Sequence, residues 1–133
     1  MIKFMIVFDQ PEDPENFENV YQDFLALVER MPHILRRQVV HITGSPQGAP
    51  RFYRILELYF ESTDAQQSAL MSAIGQEAGQ ELSRLPQGAV QLLFADVYEE
   101  EGGSTALSTS PAEETEEARD TEAEAESPAK QGF

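Results

Sequence analysis

Four stretches of this chain read as β-strands whose apolar residues fall on both faces of any sheet they form, while only two stretches can supply helices. That mismatch constrains the fold more than any motif does. One layer of helices covers one face of a sheet, and the other face must find a cover of its own. The strongest strand is Phe52 to Phe60. Phe52, Leu56, Leu58 and Phe60 alternate onto one face with Arg54 among them, and Tyr53, Ile55, Glu57 and Tyr59 onto the other. Ile2 to Phe8 is β-branched and aromatic, nearly apolar on both sides, and the turn-forming Asp9-Gln10-Pro11 follows it. Asp9 ends that apolar run too early for a signal peptide or a membrane span. Leu35 to Thr43, with Val39, Val40 and Ile42, and Ala89 to Tyr98 predict two further strands.

The helices are marked by their starts. Asp13-Pro14-Glu15 places a capping carboxylate, a proline whose missing N–H costs nothing in the first turn, and an acid near the positive helix end. Phe17, Val20, Tyr21, Phe24, Leu27, Val28 and Met31 then recur at helical spacing until Pro32. Thr63-Asp64-Ala65-Gln66 resembles a capping box and opens a helix carrying Leu70, Ala73 and Ile74. Gly75 and Gly79 weaken its continuation and predict a break or kink near Gly75; Leu82 and Leu85 close the segment before Pro86. The order βαββαβ predicts an α+β, ferredoxin-like fold: a four-stranded antiparallel sheet with two helices on one face. Met5, Val7, Val39, Ile55 and Tyr59 are expected on the opposite face. An exposed apolar sheet is a liability, so a homodimer packed sheet on sheet, a dimeric α/β barrel, is expected.

The chain has 133 residues, of which 41% are hydrophobic, and the apolar shortfall lies at the C-terminus. Beyond Glu100 the apolar residues are Ala106, Leu107, Phe133 and scattered alanines, too few to offset chain entropy. One domain over 1–100 and a disordered acidic tail over 101–133 are therefore expected. The net charge of −15 is shared between them: 15 acids and 7 bases in the domain, 9 acids and 2 bases in the tail. Without a basic stripe, such a chain is repelled by nucleic acid and by anionic membranes, and neither is expected as a partner. With no cysteine, disulfides, thiolate metal sites and a cysteine nucleophile are excluded, which fits a cytoplasmic protein.

Several stretches, taken in order, carry a resemblance to a family. They are Met1-Ile2-Lys3, Asp13-Pro14 with Phe17 and Tyr21, Thr43-Gly44-Ser45-Pro46-Gln47-Gly48, the strand from Tyr53 to Phe60, Ala69-Leu70, and Gly75-Gln76. Over residues 1–98 the chain resembles the EthD family, small proteins named from ether-degradation operons and classed as dimeric α/β barrels. Family members commonly carry a Tyr-x-x-x-His-x-Pro-Leu pattern late in the first helix, whose histidine is the residue associated with acid–base work. Counting from Tyr21, Leu25 stands at the histidine position and Leu27 at the proline position. Any acid–base chemistry must then come from other residues.

Lys3, His41, Glu57 and Tyr59 are the candidates to point into the barrel. A Lys3–Glu57 pair could hold both groups charged, and His41 could move a proton near neutral pH. The plainer reading is a structural ion pair across the sheet, with His41 near a strand end. His33 follows Pro32 in a turn, and two histidines eight residues apart without clustered carboxylates make no metal site. The Gly44–Gly48 loop lacks the Gly-Lys-Ser/Thr of a phosphate loop and sits between strands. Arg36-Arg37 reads as a solvated strand edge, and Tyr21 and Phe24 as core.

The function expected from the resemblance is binding of a small apolar or aromatic metabolite between sheet and helices, without cofactor or metal. Lys3, Tyr21, Leu25 and Tyr59 would contact the ligand. His41 or Glu57 would serve as base, with Tyr59 donating a hydrogen bond. The alternative is a non-catalytic dimeric accessory domain whose barrel is filled by its own side chains. The two differ in cavity volume, since a ligand site needs roughly 300 Å³ or more.

Overall fold

The computed structural model describes residues 1–102, within which Met1–Val97 is the compact unit. The expected acidic tail lies outside the described residues apart from Glu101 and Gly102. Chain order is β1 (Ile2–Asp9), α1 (Pro14–Val28), β2 (Arg36–His41), β3 (Phe52–Phe60), α2 (Thr63–Met71), α3 (Ala73–Leu82) and β4 (Val90–Asp96). The four strands form one sheet in the order β2-β3-β1-β4, and every neighbouring pair is antiparallel.

Local chemistry starts the helices where expected, or one residue away. Asp13 caps α1 by accepting from the Asn16 N–H at 3.1 Å. The cap of α2 is Ser62, one residue before the expected Thr63, and its hydroxyl accepts from the Ala65 N–H at 3.1 Å. The second helical segment is two helices, and the break falls at Ser72 rather than at Gly75. Ser72 closes one helix and opens the next: its hydroxyl donates to the Ala69 carbonyl at 2.7 Å and accepts from the Gly75 N–H at 3.0 Å. Gly75 is nonetheless required there. A Cβ at Gly75 would run into the carbonyl oxygens of Ala69 and Leu70.

The apolar stripe of α1 (Phe17, Val20, Tyr21, Phe24, Val28) packs with Phe4, Ile6 and Phe8 of β1 and Leu56, Leu58 and Phe60 of β3. Fully burying a side chain of this size contributes about 2 kcal/mol, so this layer supplies most of the folding drive. Alternation puts Lys3, Met5 and Val7 on the face away from the helices, beside Glu57, Tyr59, Ala95 and Leu93. Val39 is opposite Leu56 and so shares the helix-side face, contrary to expectation; Val40, opposite Ile55, takes the open face. A bulge moves Tyr53 as well. Phe8 pairs with Arg54 but Asp9 with Phe52, which leaves Tyr53 as the extra residue. Its ring turns toward α1 and meets Phe17 edge-on at 5.4 Å.

Candidate functional site

An almost wholly apolar space lies between the sheet and the helix layer, beside β4. It is a cleft of about 330 Å³. Phe4, Ile6, Leu58, Leu92 and Phe94 contribute from the sheet, and Leu70, Ala78, Gly79 and Leu82 from the helices. The cause of the space is in α3. Where a packed helix would present large side chains, α3 lines the cleft with Gly75, Ala78 and Gly79, and a Cβ placed on Gly79 meets no atom within 4 Å. Gln76 is the one polar side chain among the lining residues, and its Nε2 donates to the Leu70 carbonyl at 2.8 Å, replacing the bond lost at the helix break. No acid, base or histidine lines this cleft.

The open face of the sheet holds a polar cluster instead. Lys3 Nζ lies 3.2 Å from Glu57 Oε2. The Tyr59 hydroxyl lies 2.9 Å from Gln38 Oε1 and 3.3 Å from Glu57 Oε1, and donates its single proton to one of them at a time. The Arg36 guanidinium stacks over the Tyr59 ring at 4.0 Å and Lys3 Nζ approaches the same ring at 5.7 Å. Arg36, expected to be merely solvated, is thus part of the cluster. Arg37 reaches the opposite way and pairs with Glu29 at 3.0 Å.

A third grouping sits under α1 at the bulge. Arg54, only 7% exposed, bonds Glu18 through both terminal nitrogens at 3.0 Å. Its guanidinium lies among the rings of Phe17, Tyr21 and Tyr53, with centroids 4.6 to 5.2 Å away. The hydrogen bond from Arg54 holds the Glu18 carboxyl below its ordinary value, against the opposing effect of partial burial. Burial raises the Tyr21 phenol, so it remains protonated at neutral pH.

Against this frame the six residues singled out in the sequence divide. Lys3, Glu57 and Tyr59 come together on the open face. Tyr21 packs against Phe8 and Arg54, and Leu25 is half-buried beside the core; neither lines the apolar cleft. His41 is exposed at the end of β2, opposite Arg54, on the helix-side face. It and Glu57 therefore stand on opposite faces of the sheet, because they occupy opposite parities across the β2–β3 register. Sequence reasoning missed the cleft residues Gly79 and Phe94 and the Arg54–Glu18 pair. A lone arginine among the apolar residues of β3 was the available signal for the latter. Among the described residues no three His, Asp or Glu side chains cluster as a metal site, and no helix is long and apolar enough to cross a membrane.

This sheet order and helix placement define a ferredoxin-like α+β protein. An uncharacterized 11.0 kDa protein of the thcB-thcC intergenic region of Rhodococcus erythropolis is 30% identical over 97 residues, spanning 72% of this chain and 94% of that protein. An EthD family protein of Bacillus halodurans superposes with a TM-score of 0.69 at 25% identity, over 74% of this chain and 99% of that one. The chain therefore has an EthD-like fold. Its fold extends to more distant proteins. A dimeric ferredoxin-like protein of unknown function from Jannaschia matches with a TM-score of 0.58 at 14% identity, over 73% of this chain and all of that one. SnoaB, a cofactor-independent oxygenase from Streptomyces nogalater, matches with a TM-score of 0.56 at 16% identity, over 74% of this chain and 94% of that one. No family model matches the sequence.

Proposed function

We propose that this chain is a homodimeric binding protein that takes a small apolar or aromatic molecule into the cleft between α3 and β4. The observation that carries the reading is the cleft itself, about 330 Å³ lined almost entirely by aliphatic and aromatic groups. A space of that size supports a binding domain over one filled by its own side chains. Burying an apolar ligand there removes its surface from water and also covers Leu92 and Phe94, which are otherwise exposed.

The dimer half of the reading rests on the open face, where Met5, Val7, Ile55 and Leu93 surround the Lys3–Glu57–Tyr59 cluster. The dimeric description of the Jannaschia neighbour supports it. The lining offers no proton acceptor to a ligand beyond an amide, which favours binding or carriage over acid–base catalysis. An accessory role in catabolism fits this better than a reaction using His41 and Glu57.

The test is a fluorescence titration with the neutral fluorophore phenylnaphthylamine. Saturable binding at one site per protomer is expected, and Gly79→Leu, which adds a large side chain at the lining of the cleft, should weaken it at least roughly tenfold while helix content is retained. Absence of saturable binding, or equal affinity in Gly79→Leu, overturns the reading.

A further inference from the structure

We propose that the cleft and the dimer interface are coupled through β4, so that ligand binding and dimerisation strengthen each other. The proposal rests on the binding reading above and joins its two halves.

β4 is an edge strand, hydrogen-bonded to β1 alone. Its side chains alternate between two duties. Leu92 and Phe94 line the cleft, while Leu93 and Ala95 lie on the open face opposite Met5 and Lys3. Leu92, Leu93 and Phe94 are 53%, 45% and 70% exposed, so the described residues cover this strand only in part, with Phe94 meeting the Phe4 ring at 5.4 Å and Val90 against the core. An edge strand bonded on one side and only partly covered on its faces is the least constrained part of a sheet. Covering either face fixes the backbone, and with it the side chains that point the other way. A partner seated on Leu93 therefore holds Phe94 in place for a ligand, and a ligand packed on Phe94 presents Leu93 to the partner.

The occupant of the open face is a second copy of this chain. The chain carries a net charge of −15, which sets two copies against each other over most of their surfaces. Along the ladder from Lys3 to Val7, however, the charged side chains of the open face are Lys3, Arg36 and Glu57. Two basic groups against one acid leave this patch without the excess negative charge found elsewhere. A two-fold axis through it would also set a Lys3–Glu57 pair of each copy beside that of the other, which is self-complementary.

Because linkage is reciprocal, both directions can be measured. Sedimentation equilibrium over a dilution series gives the dimer constant with and without saturating phenylnaphthylamine, and titration gives probe affinity for wild type and for Leu93→Lys. Leu93 does not line the cleft and is half exposed, so its replacement spares the core. The probe should tighten the dimer by about tenfold or more, and the monomeric Leu93→Lys chain should bind it about tenfold more weakly than the wild-type dimer. The dilution series makes the same comparison without any variant, through the probe affinity above and below the dimer constant. An unchanged dimer constant with equal probe affinity in monomer and dimer overturns the coupling and leaves the cleft standing. No saturable probe binding overturns the cleft reading and the coupling with it. A wild-type chain that stays monomeric at high concentration overturns the interface on which the coupling depends.

Discussion

Lys3 and Glu57 meet at 3.2 Å on the face of the sheet away from α1, α2 and α3, with side chains 20% and 10% exposed. They sit on neighbouring strands, Lys3 opposite Tyr59 and Met5 opposite Glu57, so the contact is a diagonal one across the β1–β3 ladder. Removing one partner leaves a largely desolvated charge behind, which costs more than the pair itself contributes. Lys3→Met alone should destabilise the chain by about 2 kcal/mol, between the values for exposed and for fully buried pairs. The double variant Lys3→Met/Glu57→Leu should recover most of that loss. Urea denaturation of the single and double variants checks it, and an equal loss in both would refute the argument.

Glu18 and Arg54 make a pH-dependent contribution whose sign follows from the direction of the shift. The Arg54 hydrogen bonds hold the folded-state value of Glu18 below the ordinary 4.5. The folded state therefore binds this proton less readily than the unfolded chain, and the contribution is complete above the unfolded value. It fades as pH falls through 4.5 and is lost below the lowered folded value. The stability difference between wild type and Glu18→Gln should be constant near neutral pH and shrink toward zero in acid. A difference that persists unchanged at the acid end would show that the pair is not what sets it.

Two glycines in α3 should respond to alanine in opposite ways. At Gly75 the new methyl group meets the Ala69 and Leu70 carbonyl oxygens, so Gly75→Ala should destabilise by about 2 kcal/mol through forced backbone movement. At Gly79 the space is empty, and Gly79→Ala should stabilise by about 0.5–1 kcal/mol through helix propensity. Thermal unfolding of the two variants makes the comparison within one helix.

Ser72 serves two helices with one hydroxyl. Ser72→Ala should cost about 1–2 kcal/mol, at the upper end for a lost cap, because the Gly75 N–H and the Ala69 carbonyl both lose a partner. Hydrogen exchange should report the loss first at Gly75 and Gln76. Ser72→Asp, which can accept but not donate, should recover part of the stability.

The sequence by itself determined the element order, the antiparallel ferredoxin-like sheet and the presence of a second apolar face. Those features depend on short-range periodicity, which Phe52 to Phe60 and the α1 stripe display directly. Where local chemistry offered two solutions, the neighbourhood chose. Gly75 pointed to a helix break, but Ser72 could satisfy both helix ends, so the break moved to it. Tyr53 belonged by parity to the open face until the bulge opposite Phe8 and Asp9 turned it toward α1. Val39 and His41 went to the helix side because pairing to β3, not the pattern of β2 itself, sets the parity of an exposed edge strand. The cleft was decided wholly by tertiary structure. Gly79 and Phe94 are fifteen positions apart in sequence, and the space between them exists only because α3 brings small residues over an edge strand. A missing side chain leaves no periodic signal in sequence, and an empty volume belongs to the packing of several elements rather than to any one of them.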